Sequence, residues 1–367
     1  MIQGANMSAV ARRAAIIVAL WYLHGAAPPP ALGQERLSLD ASLLFYGDNT
    51  EFRTFRDGET LLGTAIRLFG AAEINDRVSV RLGAAANHRY GSDDAFEFVR
   101  PMVALVIRGS RSTFIFGSLE TTDAWLPAGP DRGGPHGLLP PLQHESLSYD
   151  RPHEAGLQWK FRSIALRHET WINWQRVNTP AQRERFDVGT ATEWAPAGGH
   201  LALAFQGHVV HEGGQVHAAG PVSDSYAFAP GVLLRTSRGR LRTIGFEVFG
   251  LASRFVPDRE QSGRTRNGAA VFIRAEASTT NWRGHLIVWR GDDYLKDEGD
   301  ANYLSRHIDG RRYLGVRDYS EAGLTRFFRP AERIAIEVSG RVYRIEPHNY
   351  EYSYRVVART DLHWPIR

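Results

Sequence analysis

The chain has 367 residues, 44 of them basic and 40 acidic, and its formal net charge of +4 gives no argument for a nucleic-acid partner. It contains no cysteine, which excludes a disulfide framework and a thiolate metal site. After residue 33 no apolar stretch reaches the roughly eighteen residues of a transmembrane helix, so a membrane span would have to consist of strands.

The first 33 residues are typical of an export signal. A short basic segment, Met7–Arg13, precedes the ten apolar residues of Ala14–Leu23, and a small-x-small cleavage site ends at Gly33. Ten apolar residues are too few to span a bilayer as a helix. We therefore predict cleavage before about Gln34 and one mature domain over residues 34–367. An N-terminal membrane anchor or an unstructured tail is the alternative.

Apolar and polar residues alternate with a period of two through most of the remaining chain. Clear cases are Leu37–Phe45, Val78–Ala86 and Ile334–Val342. Such alternation is typical of strands with one apolar and one polar face. Many runs are longer than the roughly five or six residues of a soluble-domain strand, and they approach the nine to eleven of a membrane-spanning strand. Their polar faces carry full charges, which suits a wet barrel interior.

The pattern predicts sixteen strands, within a range of 14 to 18 set by uncertain strand boundaries. Long connections such as 47–60, 122–152 and 291–317 alternate with short ones such as 75–77 and 162–163. Bacterial barrels have long extracellular loops, short periplasmic turns and an even number of strands. The predicted strands are 36–46, 61–74, 78–88, 97–107, 112–121, 153–161, 164–176, 184–195, 200–211, 227–236, 241–254, 268–278, 282–290, 318–328, 333–345 and 351–364.

The final run, Tyr350–Trp364, predicts a strand with aromatic residues toward lipid and charged residues toward the lumen. Aromatic side chains elsewhere suit the girdles that barrels place at both membrane interfaces. The girdle candidates are Phe45, Tyr46, Trp159, Phe161, Trp171, Trp174, Trp282, Trp289, Phe327 and Phe328.

With these features the chain resembles bacterial outer-membrane β-barrel proteins, among them the sixteen-stranded porins. The resemblance implies an all-β, transmembrane, antiparallel up-and-down barrel in the outer membrane. It implies contact with outer-membrane lipid, lipopolysaccharide and the barrel-assembly machinery, and it is compatible with a homo-oligomer. One departure is that Pro365-Ile366-Arg367 follow the last aromatic residue, Trp364, where such barrels commonly end.

The longest connection, 122–152, is rich in proline and glycine and is not a strand. In the porins that the chain resembles, the third extracellular loop folds inward and narrows the pore. The resemblance therefore makes five residues candidates for a constriction, although an ordinary surface loop is the alternative. These residues are Asp131, Arg132, His136, His144 and Glu145.

Charged residues on the predicted polar faces are expected to point into the lumen. They would set the ion selectivity of a pore, or they would pair with one another across strands. The predicted lumen residues are Asp40, Arg67, Arg81, Lys160, Arg185, Asp187, Arg274, Glu276, Arg341, Arg355 and Arg359.

Two further site types are alternatives to a pore. Some outer-membrane barrels hydrolyse lipids with a serine–histidine pair, and His144-Glu145-Ser146 and His168-Glu169 offer these residue types. No serine signature of those enzymes is recognisable, so we predict no enzyme and no catalytic residue. Acidic residues in 291–313 offer oxygen ligands without the EF-hand spacing, which leaves Asp297 and Asp300 as weak metal candidates and no cofactor.

The sequence therefore predicts a porin-like channel for passive or mildly selective diffusion of small polar solutes. The alternative is a barrel with a plugged lumen that serves polysaccharide or lipid export, or surface binding. A lipid-hydrolysing barrel is the third interpretation.

Overall fold

The computed structural model describes residues 37–51, 58–121, 135–196, 199–214, 216–217, 220–305, 315–345 and 350–366. The predicted signal segment lies outside these residues, and the domain division stays a prediction. No helix in the described ranges is long and apolar enough to cross a membrane.

Sixteen antiparallel strands form a closed barrel in which each strand pairs with its neighbours in sequence and the last pairs with the first. The seam joins Leu37 to Ile366 and continues to the pair Glu51–Tyr352. The predicted fold and strand number are confirmed. The strands are β1 (Leu37–Glu51), β2 (Glu59–Asn75), β3 (Val78–Arg89), β4 (Phe98–Arg108), β5 (Ser112–Ser118), β6 (Ala155–Arg162), β7 (Leu166–Arg176), β8 (Glu184–Trp194), β9 (Leu201–Gly213), β10 (Ser223–Arg238), β11 (Leu241–Val256), β12 (Arg266–Ser278), β13 (Trp282–Asp292), β14 (Val316–Ala331), β15 (Ile334–Ile345) and β16 (Tyr350–Ile366).

The period-two pattern decides which side chains face lipid. On β13 the apolar residues Leu286 and Val288 are more than half exposed, whereas Arg283 and His285 on the opposite face are buried. This orientation puts charge inside the barrel and aliphatic surface outside, as a hydrocarbon environment demands.

Three girdle assignments are wrong. Tyr46, Trp171 and Trp289 are 0%, 2% and 1% exposed, and they lie on inward faces. Their positions along each strand share the parity of charged lumen residues, and the Trp171 ring nitrogen donates to Asp187 at 3.1 Å. In contrast, Trp174 is exposed on the outer face. Aromatic identity alone does not separate a membrane girdle from an internal core.

An internal hydrophobic core fills part of the lumen. Tyr294 and Tyr303, from the β13–β14 loop, meet the Trp289 ring edge to face at centroid distances of 5.0 and 5.2 Å. Such pairs contribute about 0.5–1.5 kcal/mol each beyond their buried area. The loops and the wall thus share one plug, which we define by Leu138, Leu139, Leu142, Tyr294, Tyr303, Trp171, Phe249, Phe272, Trp289 and Tyr319.

Candidate active site

Two long loops enter the barrel from the end that carries the long connections, here the long-loop end; the opposite end is the short-turn end. The first loop includes a one-turn helix, α1 (Leu147–Asp150), and the second a 3-10 turn, Ala301–Tyr303. The backbone N–H of His144 donates to the carbonyl of Glu298 at 2.7 Å. This backbone contact holds the two loops against each other inside the wall.

Ser146, His144 and Asp300 meet where these loops touch. The Ser146 hydroxyl donates a short hydrogen bond to Nδ1 of His144. Across the imidazole, Nε2 lies 3.6 Å from Oδ2 of Asp300, which is an ion-pair distance and not a hydrogen bond. A hydroxyl beside a base, with a carboxylate behind that base, can support nucleophilic acyl transfer.

Local hydrogen bonds fix the tautomer of His144. The backbone N–H of Ser146 also points at Nδ1, at 3.1 Å, so this nitrogen acts as an acceptor. The proton of the neutral imidazole therefore lies on Nε2, on the side of Asp300. The basic nitrogen faces the Ser146 hydroxyl, as a general base must.

Asp300 is oriented by its own turn. It caps the 3-10 turn Ala301–Tyr303, and its Oδ1 accepts the backbone N–H of Asn302 at 2.9 Å. The other carboxylate oxygen is the one nearest His144. A capping bond thus limits rotation of the side chain that faces the imidazole.

Two arginines bring positive charge to the same cavity. Guanidinium nitrogens of Arg341 and Arg355 lie 2.7 and 2.8 Å from Oε2 of Glu145. Arg355 also pairs with Asp48 at 3.0 Å, and Asp48 accepts the hydroxyl of Tyr149. Burial raises the pKa of Tyr149 well above its ordinary value, so this hydroxyl remains a donor. The cavity holds only about 50 Å³, too little for a whole lipid.

A second histidine anchors the first loop in the lumen. His136 Nδ1 lies 2.5 Å from Glu169 and Nε2 lies 2.9 Å from Glu154, while its ring stacks on Trp171 at 3.8 Å. Burial opposes the charged form, but the two carboxylates outweigh burial and raise the pKa of His136 to about 10. The residue adopts a left-handed backbone with φ of 62°, a strained conformation that these contacts maintain.

Three buried side chains form a candidate metal site. Ligand atoms of Asp187, His208 and Glu298 lie within 4.8 Å of one another, and Nδ1 of His208 is 3.1 Å from the Leu142 carbonyl. A donor set of two carboxylates and one imidazole suits a divalent metal. Arg185 already pairs with Glu298 at 3.1 Å, so the cluster is partly neutralised by protein charge alone.

The predicted lumen residues lie on inward faces of the wall, but their role in an open pore stays a prediction. Asp40, Arg67 and Arg81 line a cavity of about 600 Å³ toward the short-turn end. Arg359 shares the face of Arg355 on β16. The others are buried or largely buried in the lumen: Lys160, Arg185, Asp187, Arg274, Glu276 and Arg341.

The constriction and metal candidates have separate fates. Asp131 and Arg132 lie outside the described residues, whereas His136, His144 and Glu145 lie inside the barrel in the contacts given above. Asp297 pairs with Arg185 at 3.0 Å. Asp300 faces His144 instead of an acidic cluster.

Sequence reasoning missed two contributors to the site. No sequence pattern points to Asp48, and the pattern around Asp300 indicates only a weak metal ligand. Both belong to segments far in sequence from the serine–histidine pair, so no local spacing connects them. The only local signal was that His144 and Ser146 are two residues apart.

Solved structures share the architecture at low sequence identity. OpdK from Pseudomonas aeruginosa is 12% identical, with 90% of this chain and 99% of that chain covered and a TM-score of 0.51. OmpT from Vibrio cholerae is 11% identical, with coverages of 91% and 99% and a TM-score of 0.54. No curated protein sequence is detectably similar to the chain. The neighbours and the closed barrel confirm an outer-membrane β-barrel protein and its location.

A protein-family model identifies the family of the chain, whereas the solved structures show only its fold. A model described as lipid A 3'-O-deacylase-type matches residues 29–367, nearly the whole chain. Because that family is described by an enzyme activity, the prediction that the protein is not an enzyme is wrong. The chain belongs to the lipid A 3'-O-deacylase-type family of outer-membrane barrels.

Proposed function

We propose that this protein is an outer-membrane hydrolase that cleaves a fatty acyl ester of a lipid A-type glycolipid. The observation that carries the proposal is the hydrogen bond from Ser146 to the unprotonated nitrogen of His144, with Asp300 behind the imidazole. The family match supports the substrate class.

The chemistry requires only groups of this cavity, the ester and water. Ser146 Oγ attacks the ester carbonyl while Nδ1 of His144 removes the hydroxyl proton. The same proton then passes to the departing alkoxide, which leaves as an alcohol. Water, deprotonated by His144, attacks the acyl-serine, the fatty acid leaves, and His144 returns the proton to Oγ of Ser146. Asp300 stabilises the imidazolium, and Arg341 and Arg355 add positive potential to a cavity where the carbonyl oxygen becomes negative.

The direct test is mass spectrometry of lipid A incubated with the purified, detergent-solubilised barrel. The expected result is loss of one fatty acyl chain and appearance of the free fatty acid. A soluble short-chain ester, assayed in parallel, reports on the Ser146 centre without demanding recognition of a lipid. Absence of hydrolysis of both compounds by a demonstrably folded barrel would overturn the proposal.

A channel is the second candidate function, supported by the charged cavity of about 600 Å³ near the short-turn end. The plug opposes free passage, because the loop residues Leu138 and Leu142 are fully buried against the wall. We therefore expect the plug to limit diffusion through the described part of the lumen.

Replacing both Leu138 and Leu142 with aspartate is expected to raise single-channel conductance in a planar bilayer. Two carboxylates in this apolar cluster would be costly to bury and would drive the loop out of the lumen. The double Leu→Met variant is the matched control, because it preserves volume and polarity. Equal conductance in the aspartate and methionine variants would show that the plug is not the barrier.

A further inference from the structure

On one side of the barrel, the strands of the wall end before they reach the long-loop end. Of the sixteen strands, β5 and β6 are the shortest, with seven and eight residues. Consequently β4 pairs with β5 only from Ala104 to Arg108, and β7 pairs with β6 only from Arg167 to Asn173. Beyond the ends of β5 and β6, the segments of β4 and β7 nearest the long-loop end face each other across a gap. Within the described ranges no strand pairs with Phe98–Val103 on that side.

We call this gap the lateral notch. Because β5 and β6 stop short of the long-loop end, three strand spacings of about 4.8 Å separate β4 from β7 there, or about 14 Å in all. Pro101, which has no backbone N–H to donate, lies in the part of β4 that pairs with β3 but not with β5, and proline is typical of such an edge. A cavity of about 500 Å³ occupies the notch, ten times the space beside Ser146.

The interior of the notch is basic. Its lining contains four arginines and two glutamates, namely Arg100, Arg151, Arg176, Arg185, Glu154 and Glu298. Three of the arginines make ion pairs: Arg151 and Arg185 with Glu298, and Arg176 with Glu212. Arg100 is exposed and has no ion pair with any described residue. The lining thus presents positive charge to whatever enters.

The rim of the notch is apolar toward the membrane. Val99 and Val103, on the outer face of β4, are 60% and 54% exposed, and Trp174 on β7 is 45% exposed. Exposed aliphatic residues suit acyl chains, and tryptophan is favoured at the membrane interface. An apolar rim around a basic interior is complementary to an anionic amphiphile, whose phosphate binds arginine through charge-assisted hydrogen bonds.

The notch adjoins the Ser146 cavity. Leu147 and Arg151, at and just beyond the ends of α1, line the notch, whereas Ser146 and Tyr149 line the smaller cavity. One helical turn therefore separates a space large enough for part of a lipid from a space that holds little more than its reacting group.

We propose that the lateral notch between β4 and β7 is the port through which an anionic lipid of the surrounding leaflet reaches Ser146, with Arg100 binding its phosphate. This inference rests on the proposed function, because it takes Ser146 to be the residue that the lipid must reach. It differs from entry through the open mouth of the barrel, because the acyl chains remain in the bilayer while the head group enters the wall.

The test compares Arg100→Glu with Arg254→Glu, a control at an exposed arginine of β11 on the long-loop half of the wall. Each variant is reconstituted in vesicles containing lipid A or dephosphorylated lipid A and is also given a soluble short-chain ester. We expect Arg100→Glu to lower hydrolysis of lipid A by about tenfold or more, equivalent to about 1.4 kcal/mol. Hydrolysis of dephosphorylated lipid A and of the soluble ester should change less than twofold, and Arg254→Glu should change none of the three.

Equal effects of the two substitutions on hydrolysis of lipid A, or no effect of Arg100→Glu, would overturn the port. Competition by inorganic phosphate separates a site for free phosphate from one for lipid: strong inhibition at millimolar concentration would indicate the former and overturn lipid entry. If the unmodified protein does not hydrolyse the soluble ester, that result would instead count against the Ser146 chemistry.

A binding measurement keeps the port testable without catalysis. Because the chain has no cysteine, Leu147→Cys in a Ser146→Ala background accepts a single fluorescent label in the notch. Brominated phosphatidylglycerol should quench this label more strongly than brominated phosphatidylcholine, and Arg100→Glu should remove the difference. No quenching by either lipid would overturn the inference.

Discussion

Replacing His144 with alanine is expected to lower the rate of ester hydrolysis by about 10²–10⁴-fold, the usual contribution of a general base. The physical reason is that Nδ1 of His144 is the group positioned to take the proton of Ser146. The measurement is kcat/KM for a soluble ester, together with loss of an acyl chain from lipid A.

Ser146→Ala separates two versions of this chemistry. If Ser146 is the nucleophile, the variant should lose activity about as completely as His144→Ala, because the two groups act as a unit. Activity that persists in Ser146→Ala but not in His144→Ala would instead indicate water activated directly by the histidine. Ser148→Ala is the matched control, since Ser148 lies in the same short helix and does not line the cavity.

Asp300→Asn should have a smaller effect than either substitution. The carboxylate lies 3.6 Å from Nε2, so it acts on the imidazolium by charge and not through a formed hydrogen bond. The variant should reduce kcat and leave KM nearly unchanged, because the positive charge of His144 exists only after proton transfer. An unchanged kcat would remove Asp300 from the mechanism.

His136→Leu is expected to destabilise the docked loop by about 3–5 kcal/mol, the usual consequence of removing one partner from a buried ion pair. The leucine would leave Glu154 and Glu169 facing each other in the lumen without the imidazolium between them. The measurement is a urea titration followed by gel mobility, with protease cleavage within residues 135–154 as the local readout.

The same contact predicts how stability depends on pH. The pKa of His136 is raised from its ordinary 6.5 to about 10, because the two carboxylates outweigh burial. The stabilisation is therefore complete below about pH 6.5 and is lost as the pH rises through about 10. Loop protection should fall in this alkaline range in the unmodified protein, and His136→Leu should abolish that dependence.

Two controls distinguish the buried contact from a general effect of losing a histidine. His200→Leu changes an exposed histidine and should alter stability by less than about 0.5 kcal/mol. Adding Glu154→Gln and Glu169→Gln to His136→Leu should recover part of the loss, since the uncompensated charges are then removed. Equal stability of His136→Leu and the unmodified protein would show that the loop is held by its apolar contacts alone.

The wall could be predicted from sequence, whereas the contents of the barrel could not. Alternation in runs such as Val78–Ala86 depends on whether each residue faces lipid or lumen, and that requirement acts on every second position. The interior has no such requirement, because it accepts charge, water or an apolar core. Trp171 and Trp289 were therefore assigned to the membrane interface, although they pack in the plug.

Only part of the site could be predicted from the sequence, for a related reason. His144 and Ser146 are neighbours in sequence, so their pairing could be considered from spacing alone. Asp300 lies beside them because two backbone hydrogen bonds join the loops. The Asp300 N–H donates to the Pro140 carbonyl, and the His144 N–H donates to the Glu298 carbonyl. That contact depends on the closed barrel bringing two loops into one lumen, which no local pattern records.

The plug also sets an order of events during assembly. Neighbouring strands pair by local hairpins, and only the seam between β1 and β16 joins distant parts of the chain. The plug, in contrast, depends on contacts such as Tyr294 with Pro141, 153 positions apart. The loops also pack against Trp171 of β7 and Trp289 of β13, which face one lumen only when the barrel is closed, so the wall should close before the loops dock. In refolding, heat-modifiable gel mobility should appear first and protease resistance of the loops later, so that a barrel without its docked plug precedes the native protein.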